Sequence, residues 1–139
     1  MIKIAHTAQE ITASYPVLEQ QRTHLIIESF VDQVQDLIAH GYILAYLEDR
    51  GQVVSVAGFK IDRNLYAGKH LYVEDLVTLD TMRSRGYGEA MMDWLLDYAR
   101  NHQCQVLHLD SGVQRFAAHR FYLKQRMDIV SHHFLIKLA

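Results

Sequence analysis

Phe30, Val31, Val34, Leu37 and Ile38 fall on one stripe at a spacing of about 3.6 residues. That spacing predicts a helix, opened by Ser29-x-x-Asp32 and stopped by Gly41. Ahead of it, residues 2–5 form a short apolar run that reads as a strand. Thr7-x-x-Glu10 then supplies a capping box for a first helix, which Pro16 should end or kink. Beyond Gly41 the pattern shortens. Residues 43–47, 53–61 and 71–79 are rich in β-branched and aromatic side chains and predict three strands. EDRGQ between the first two is a hairpin signal, and DRNLYAGK between the second and third predicts a longer polar loop.

After Gly88 the period lengthens again. Ala90, Met91, Trp94, Leu95 and Tyr98 share one face, with Asp93, Asp97 and Arg100 largely opposite. Residues 106–109 predict a short strand, 114–125 a further helix and 129–138 a closing strand, with LDSG at 109–112 ending a strand and capping the helix after it. The resulting order, β-α-α-β-β-β-α-β-α-β, predicts an α/β (α+β) fold with a mixed sheet and helices packed on it.

Composition narrows the picture without changing it. The 139 residues are half hydrophobic and 22% charged, as expected of a globular chain, and with no repeat or linker they predict one domain over 1–139. A net charge of −2 gives no support to a nucleic-acid or membrane-surface protein, so any anion site must be local. A single cysteine, Cys104, excludes an intrachain disulfide, and no apolar run has the length of a signal peptide core or a membrane span. Together these features predict a cytoplasmic protein.

The candidate chemistry begins at RSRGYGEAMMDWL, residues 83–95. A strand passing through glycines into a helix presents unpaired amide N–H groups at the positive end of the helix dipole. Arg83 and Arg85 could add charge-assisted contacts to phosphate oxygens. A P-loop is excluded, because Gly88 is followed by Glu89 and Ala90 rather than Lys and Ser/Thr; a Rossmann fingerprint is excluded by Met91. By itself Arg83-x-x-Gly86-x-Gly88 is equally a glycine turn with solubilising arginines.

Placed after a strand, Arg-x-x-Gly-x-Gly resembles the acyl-CoA pyrophosphate loop of the GNAT N-acetyltransferases. The resemblance extends from about Tyr72 to Tyr122, through VEDLVTLDTMRSRGYG, an amphipathic helix, VLHLDSG and AAHRFYLKQ. It implies a mostly antiparallel GNAT sheet flanked by helices, with acetyl-CoA as acyl donor and an amine acceptor, either a small molecule or a peptide or protein. The charge and the histidine pattern lead us to expect no metal, nucleic acid or membrane partner, and a homodimer is left open. Val77, Thr78 and Leu79 would offer main-chain groups to pantetheine. Arg83, Arg85, Gly86, Tyr87, Gly88, Glu89 and Ala90 would hold the pyrophosphate.

Direct transfer to an amine needs a base, because an alkylammonium with a pKa of about 10.4 is protonated at neutral pH. It also needs a donor for the oxyanion and an acid for the departing thiolate. Ala118-x-x-x-Tyr122 resembles the family segment that sets a tyrosine hydroxyl against the CoA sulfur, which makes Tyr122 the candidate acid. Relatives continue with a glycine and an aromatic residue where Arg126 and Met127 stand, so the helix is expected to end differently here. Arg115 occupies a place where many relatives carry a CoA-contacting asparagine.

Glu74 and Asp75 are the candidate bases. Plain alternation puts Asp75 on the apolar face with Leu71, Val73, Val77 and Leu79, and Glu74 on the mixed face with Tyr72 and Thr78. A bulge would reset that parity. Glu74 is slightly favoured. The acceptor pocket is expected from residues 20–40 and the loop 62–69. Nine histidines offer no helix pair or Cys/His cluster, so no zinc site is predicted, although His108, His119 or Asp110 could face the acceptor. The runner-up function is a CoA-binding sensor or interaction module without transfer, and a third is a nucleotide-binding α/β domain.

Overall fold

The computed structural model describes all 139 residues. The chain divides into two compact units, Met1–His108 and Leu109–Ala139. Strands β1 (Ile2–Ile4), β2 (Ile43–Asp49), β3 (Gln52–Asn64), β4 (Gly68–Thr78) and β5 (Val106–Leu109) form one sheet in the order β1-β2-β3-β4-β5, antiparallel from β1 through β4. The helices are α1 (Ala8–Glu19), α2 (Ile27–Ala39), α3 (Tyr87–Asn101) and α4 (Phe116–Lys124). No helix is long and apolar enough to cross a membrane.

The two sheet faces follow from side-chain alternation. Val56 on β3 and Val77 on β4 join Ile11, Val17, Phe30 and Leu44 in a core under α1 and α2. Phe59, three residues on from Val56, turns to the other face. It meets Trp94 and Tyr98 of α3 edge-on at 6.0 and 5.2 Å. Phe30 and Phe59, each fully buried, contribute on the order of 1.5–3 kcal/mol apiece by leaving water.

The capping box forms as expected: Thr7 Oγ1 accepts from the Glu10 amide at 3.1 Å, and Glu10 Oε1 accepts from the Thr7 amide at 3.0 Å. Tyr46 donates to the other Glu10 oxygen, and these bonds bring the Glu10 carboxyl down to about 2. Arg50 and Gly51, both at positive φ, make the two-residue turn between β2 and β3.

Several sequence expectations are corrected. Pro16 lies inside α1 and does not end it; buried Val17 and Leu18 hold the last turn in place. The second helix opens at Ile27 on an Ile26 cap with no side-chain bond, ahead of the Ser29 signal. The loop 62–69 is mostly strand, since Asn64 pairs with Gly68, and Leu65 and Tyr66 stand exposed at its tip.

Within the second unit, α4 is capped by Arg115 without a side-chain bond, so LDSG does not cap it. Arg126 adopts φ +66 and completes a Schellman ending: its amide donates to Leu123 O and the Met127 amide to Tyr122 O. The helix therefore closes as a glycine would close it, with arginine bearing the left-handed strain. Residues 127–139 form no strand. Phe134, Ile136 and Leu138 are exposed there, and apolar alternation without a paired edge does not make a ladder.

Candidate active site

Glu74 and Asp75 sit at an irregularity in β4. Gly58 pairs with Asp75 and its neighbour Phe59 with Val73, so Glu74 is an extra residue with no partner on β3. The bulge reverses the parity expected from the sequence. Val73 stays with Phe59 on the α3 face, while Asp75 moves with Val77 to the face covered by α1 and α2.

Asp75 is fully engaged there. Arg22 Nε donates to Oδ1 at 2.9 Å, and the Tyr42 hydroxyl donates to Oδ2 at 2.8 Å. Arg22 also ties the bulge through Nη2 to Glu74 O at 2.9 Å. Tyr42 reaches Asp75 by crossing Gly58, where a Cβ would lie 1.7 Å from the tyrosine oxygen, so only glycine admits the ring. Burial and the neighbouring Asp75 charge push the Tyr42 phenol well above its usual range. It remains a donor.

Glu74 differs. No side chain bonds its carboxylate, which is half-buried in a cavity of about 290 Å³ between α1, α2 and β4. Burial raises its pKa first and the Asp75 charge second, while Lys60 and Arg22 pull it back. The cavity walls come from Leu18, Leu25, Phe30, Val34 and Leu37, with Arg22, His24, Gln33 and Tyr42 alongside the two acids. Residues from the stretch 20–40 line this cavity, and none from 62–69 does.

Past the bulge, β4 is finished by Gln20 at the end of α1. Gln20 Nε2 donates to Thr78 O at 3.3 Å, and its Oε1 accepts from the Asp80 amide at 2.7 Å. The Leu79 amide donates to Val54 O and Ser55 Oγ to Val77 O. Of the three residues expected to face pantetheine, Thr78 alone turns its main-chain groups away from β3. A short 3₁₀ turn, Asp80–Met82, then leads to the glycine loop.

That loop is built by two left-handed residues, Ser84 at φ +64 and Gly86 at φ +84. Gly86 caps α3 without any side-chain bond, and the first intrahelical bond runs from the Ala90 amide to Gly86 O at 3.0 Å. The amides of Tyr87, Gly88 and Glu89 are thus left at the positive end of the helix dipole with no partner inside the helix. Nothing lies within 4 Å of where a Gly86 Cβ would point, so the backbone at the helix cap is uncovered on that side. Arg83 pairs with Asp80 at 2.5 Å, an exposed contact that an incoming anion could replace. Tyr87 is held by Asp49, and its phenol is raised by that bond. This donor set fits a pyrophosphate.

Tyr122 lies in α4 of the second unit, half-buried, its phenol pushed up by burial and partly restored by Arg115. Its ring packs edge-on to Phe121 at 5.7 Å. The histidines do other work. His108 and buried His70 share a hydrogen bond of 2.8 Å, and His119 Nε2 meets Gly112 O at 2.8 Å. Sequence reasoning missed Arg22, Tyr42 and Gln20. The lone glycine in VSVAGFKI was the available signal, because a glycine inside a strand marks a bulge or a close approach.

Comparison with known proteins gives the family and the fold. Residues 5–126 match the model of the acetyltransferase (GNAT) family. The chain is 34% identical over 115 residues to the Bacillus subtilis (strain 168) protein named uncharacterized N-acetyltransferase YhdJ, covering 82% of this chain and 81% of the relative. In fold it is similar to a GNAT family acetyltransferase from Staphylococcus aureus, with TM-score 0.84, 11% identity and coverage of 99% of this chain and 98% of the other. It is also similar to AAC(6')-Iy in complex with the bisubstrate analog CoA-S-monomethyl-acetylneamine, with TM-score 0.87, 10% identity and coverage of 100% and 97%.

Proposed function

The chain belongs to the GNAT acetyltransferase family, and from that premise we propose that it moves the acetyl group of acetyl-CoA directly to a primary amine while both are bound. The observation that carries this reading is Glu74: a half-buried carboxylate with a raised pKa and no side chain bonded to it, facing a small pocket.

Acetyl-CoA supplies an acetyl carbon activated as a thioester. The amides of Tyr87, Gly88 and Glu89, with Arg83, Arg85 and the uncovered cap at Gly86, hold its pyrophosphate, and Ala90 closes the first turn behind them. Val77, Thr78 and Leu79 line the path of its pantetheine, with Thr78 supplying the main-chain contact. Glu74 takes one proton from the acceptor ammonium at its carboxylate and frees the nitrogen lone pair. Asp75 does not act as base; pinned by Arg22 and Tyr42, it fixes the bulge that aims Glu74. Tyr122 keeps its hydroxyl proton available for the departing thiolate, and its raised pKa keeps it protonated at neutral pH. No metal is required by this scheme. The partly buried Cys104 thiol, raised by burial, suits a cytoplasmic setting and no catalytic task.

Initial-rate kinetics test the proposal. Release of CoA thiol from acetyl-CoA and an amine should give intersecting double-reciprocal lines, and Tyr122→Phe should slow it by roughly a hundredfold. Parallel lines, which signal an acetyl-enzyme, or a Tyr122→Phe protein as fast as wild type would contradict it.

A further inference from the structure

We infer that the acceptor is a monoamine with an apolar body, an alkylamine or arylalkylamine, and not a polyamine, aminoglycoside or amino acid. This rests on the reading of Glu74 as the base. The pocket makes two separate demands on its occupant.

The first is charge. Arg22, Asp75 and Glu74 are the fixed charges among the residues that line the pocket, and the Arg22–Asp75 pair cancels within itself; Lys60, which pulls the Glu74 pKa back, is not part of the lining. Glu74 alone is left, so the site complements a single positive charge. A second ammonium would enter with no carboxylate to meet it. A carboxylate or phosphonate on the acceptor would lie among two acids, near an arginine already spent on Asp75 and on Glu74 O.

The second is shape and polarity. Five of the lining side chains are aliphatic or aromatic hydrocarbon, and Phe30 at the base is 1% exposed. At the entrance Leu37, which is 45% exposed, stands with the exposed His24 and Gln33, so the rim is part apolar and part polar while the inner walls are hydrocarbon. Hydroxyls or amides of an aminoglycoside or a peptide backbone would lose water against the buried inner walls of Leu18, Phe30 and Val34, which offer them no partner. A cavity of about 290 Å³ also sits at the lower end of the ~300–1,000 Å³ typical of small-molecule sites. A hexyl chain or a phenyl ring on a short tether fits within it.

Two measurements on the full chain test the inference and separate it from the transferase reading. Calorimetry with hexylamine, phenethylamine, spermidine, kanamycin, alanine and aminomethylphosphonate reads binding alone; thiol release from acetyl-CoA with the same set reads transfer. The expected result is binding of the two apolar amines at least tenfold tighter than the rest, lost in Glu74→Gln, with the same order in kcat/KM. Leu37→Asp, at an exposed rim position the fold tolerates, should weaken hexylamine and narrow or reverse its advantage over spermidine. Apolar amines that bind in a Glu74-dependent way without thiol release would sink the transferase reading and keep the pocket assignment. Preference for spermidine, kanamycin, alanine or the phosphonate in either measurement would overturn the inference, as would no binding of either apolar amine.

Discussion

The pocket floor and the entrance to α3 both follow from β4, and they are organised in opposite ways. On the floor the charges are partly buried and almost fully paired: Arg22, Tyr42 and Asp75 satisfy one another, and one carboxylate, Glu74, is held out of the network. At the helix entrance the groups are exposed and barely tied, with bare amides, a surface Arg83–Asp80 pair and an open left-handed glycine. The contrast separates two kinds of recognition. A paired, low-dielectric floor selects a ligand by the one charge it leaves over, whereas an open row of donors takes up an anion that brings many acceptors of its own.

The sharpest way to break the comparison is to exchange the fates of the two acids. Glu74→Gln should lower kcat by roughly 10²–10⁴ and leave thermal stability unchanged or slightly raised, because a desolvated carboxylate is replaced by a neutral amide. Asp75→Asn should do the reverse in kind. Removing its charge leaves Arg22 with Glu74 O alone and weakens the Tyr42 bond, with a stability loss of about 1–3 kcal/mol by denaturant titration. Equal kinetic losses with equal stability changes would erase the distinction.

Next in size is Gly58→Ala. A methyl group 1.7 Å from the Tyr42 oxygen must displace the ring, at a cost of about 1–3 kcal/mol, and the loss should shrink in a Tyr42→Ala background. At the other region, Gly86→Ala meets no atom but must hold φ +84, so about 1–2 kcal/mol of strain is expected. Its signature is a raised KM for acetyl-CoA with the amine KM unmoved. The smallest effect should come from Arg126→Gly, which relieves the left-handed residue ending α4 and stabilises by roughly 0.4–1 kcal/mol in thermal melts.

Local signals explain most of what the sequence made legible. The Thr7–Glu10 box, the hairpin at Arg50–Gly51 and the stripe of α3 each depend on residues a few positions apart, so short windows contain them. The bulge at Glu74 does not, because it exists only in the register of β4 against Gly58, and one skipped residue inverts every face after it. For the same reason the Arg22 and Tyr42 bonds to Asp75 were invisible. The Arg-x-x-Gly-x-Gly loop was readable as chemistry because its glycines do local work, yet its 3₁₀ lead-in and the Gln20 clasp come from elsewhere in the chain. Residues 129–138 show the converse: a convincing strand pattern that has no ladder in the second unit.

The central claim, that Glu74 is the base and is tuned by its surroundings, is tested most directly by the pH dependence of kcat/KM for the best amine, compared between wild type and Lys60→Met. Burial and Asp75 raise the Glu74 pKa while Lys60 lowers it, and the base acts only when deprotonated. Activity should therefore fall as pH drops through that raised pKa, and removing Lys60 should move the acid limb to higher pH while the alkaline side stays in place. The amine's own titration is common to both proteins and cancels in the ratio. Superimposable acid limbs in the two proteins would contradict the account.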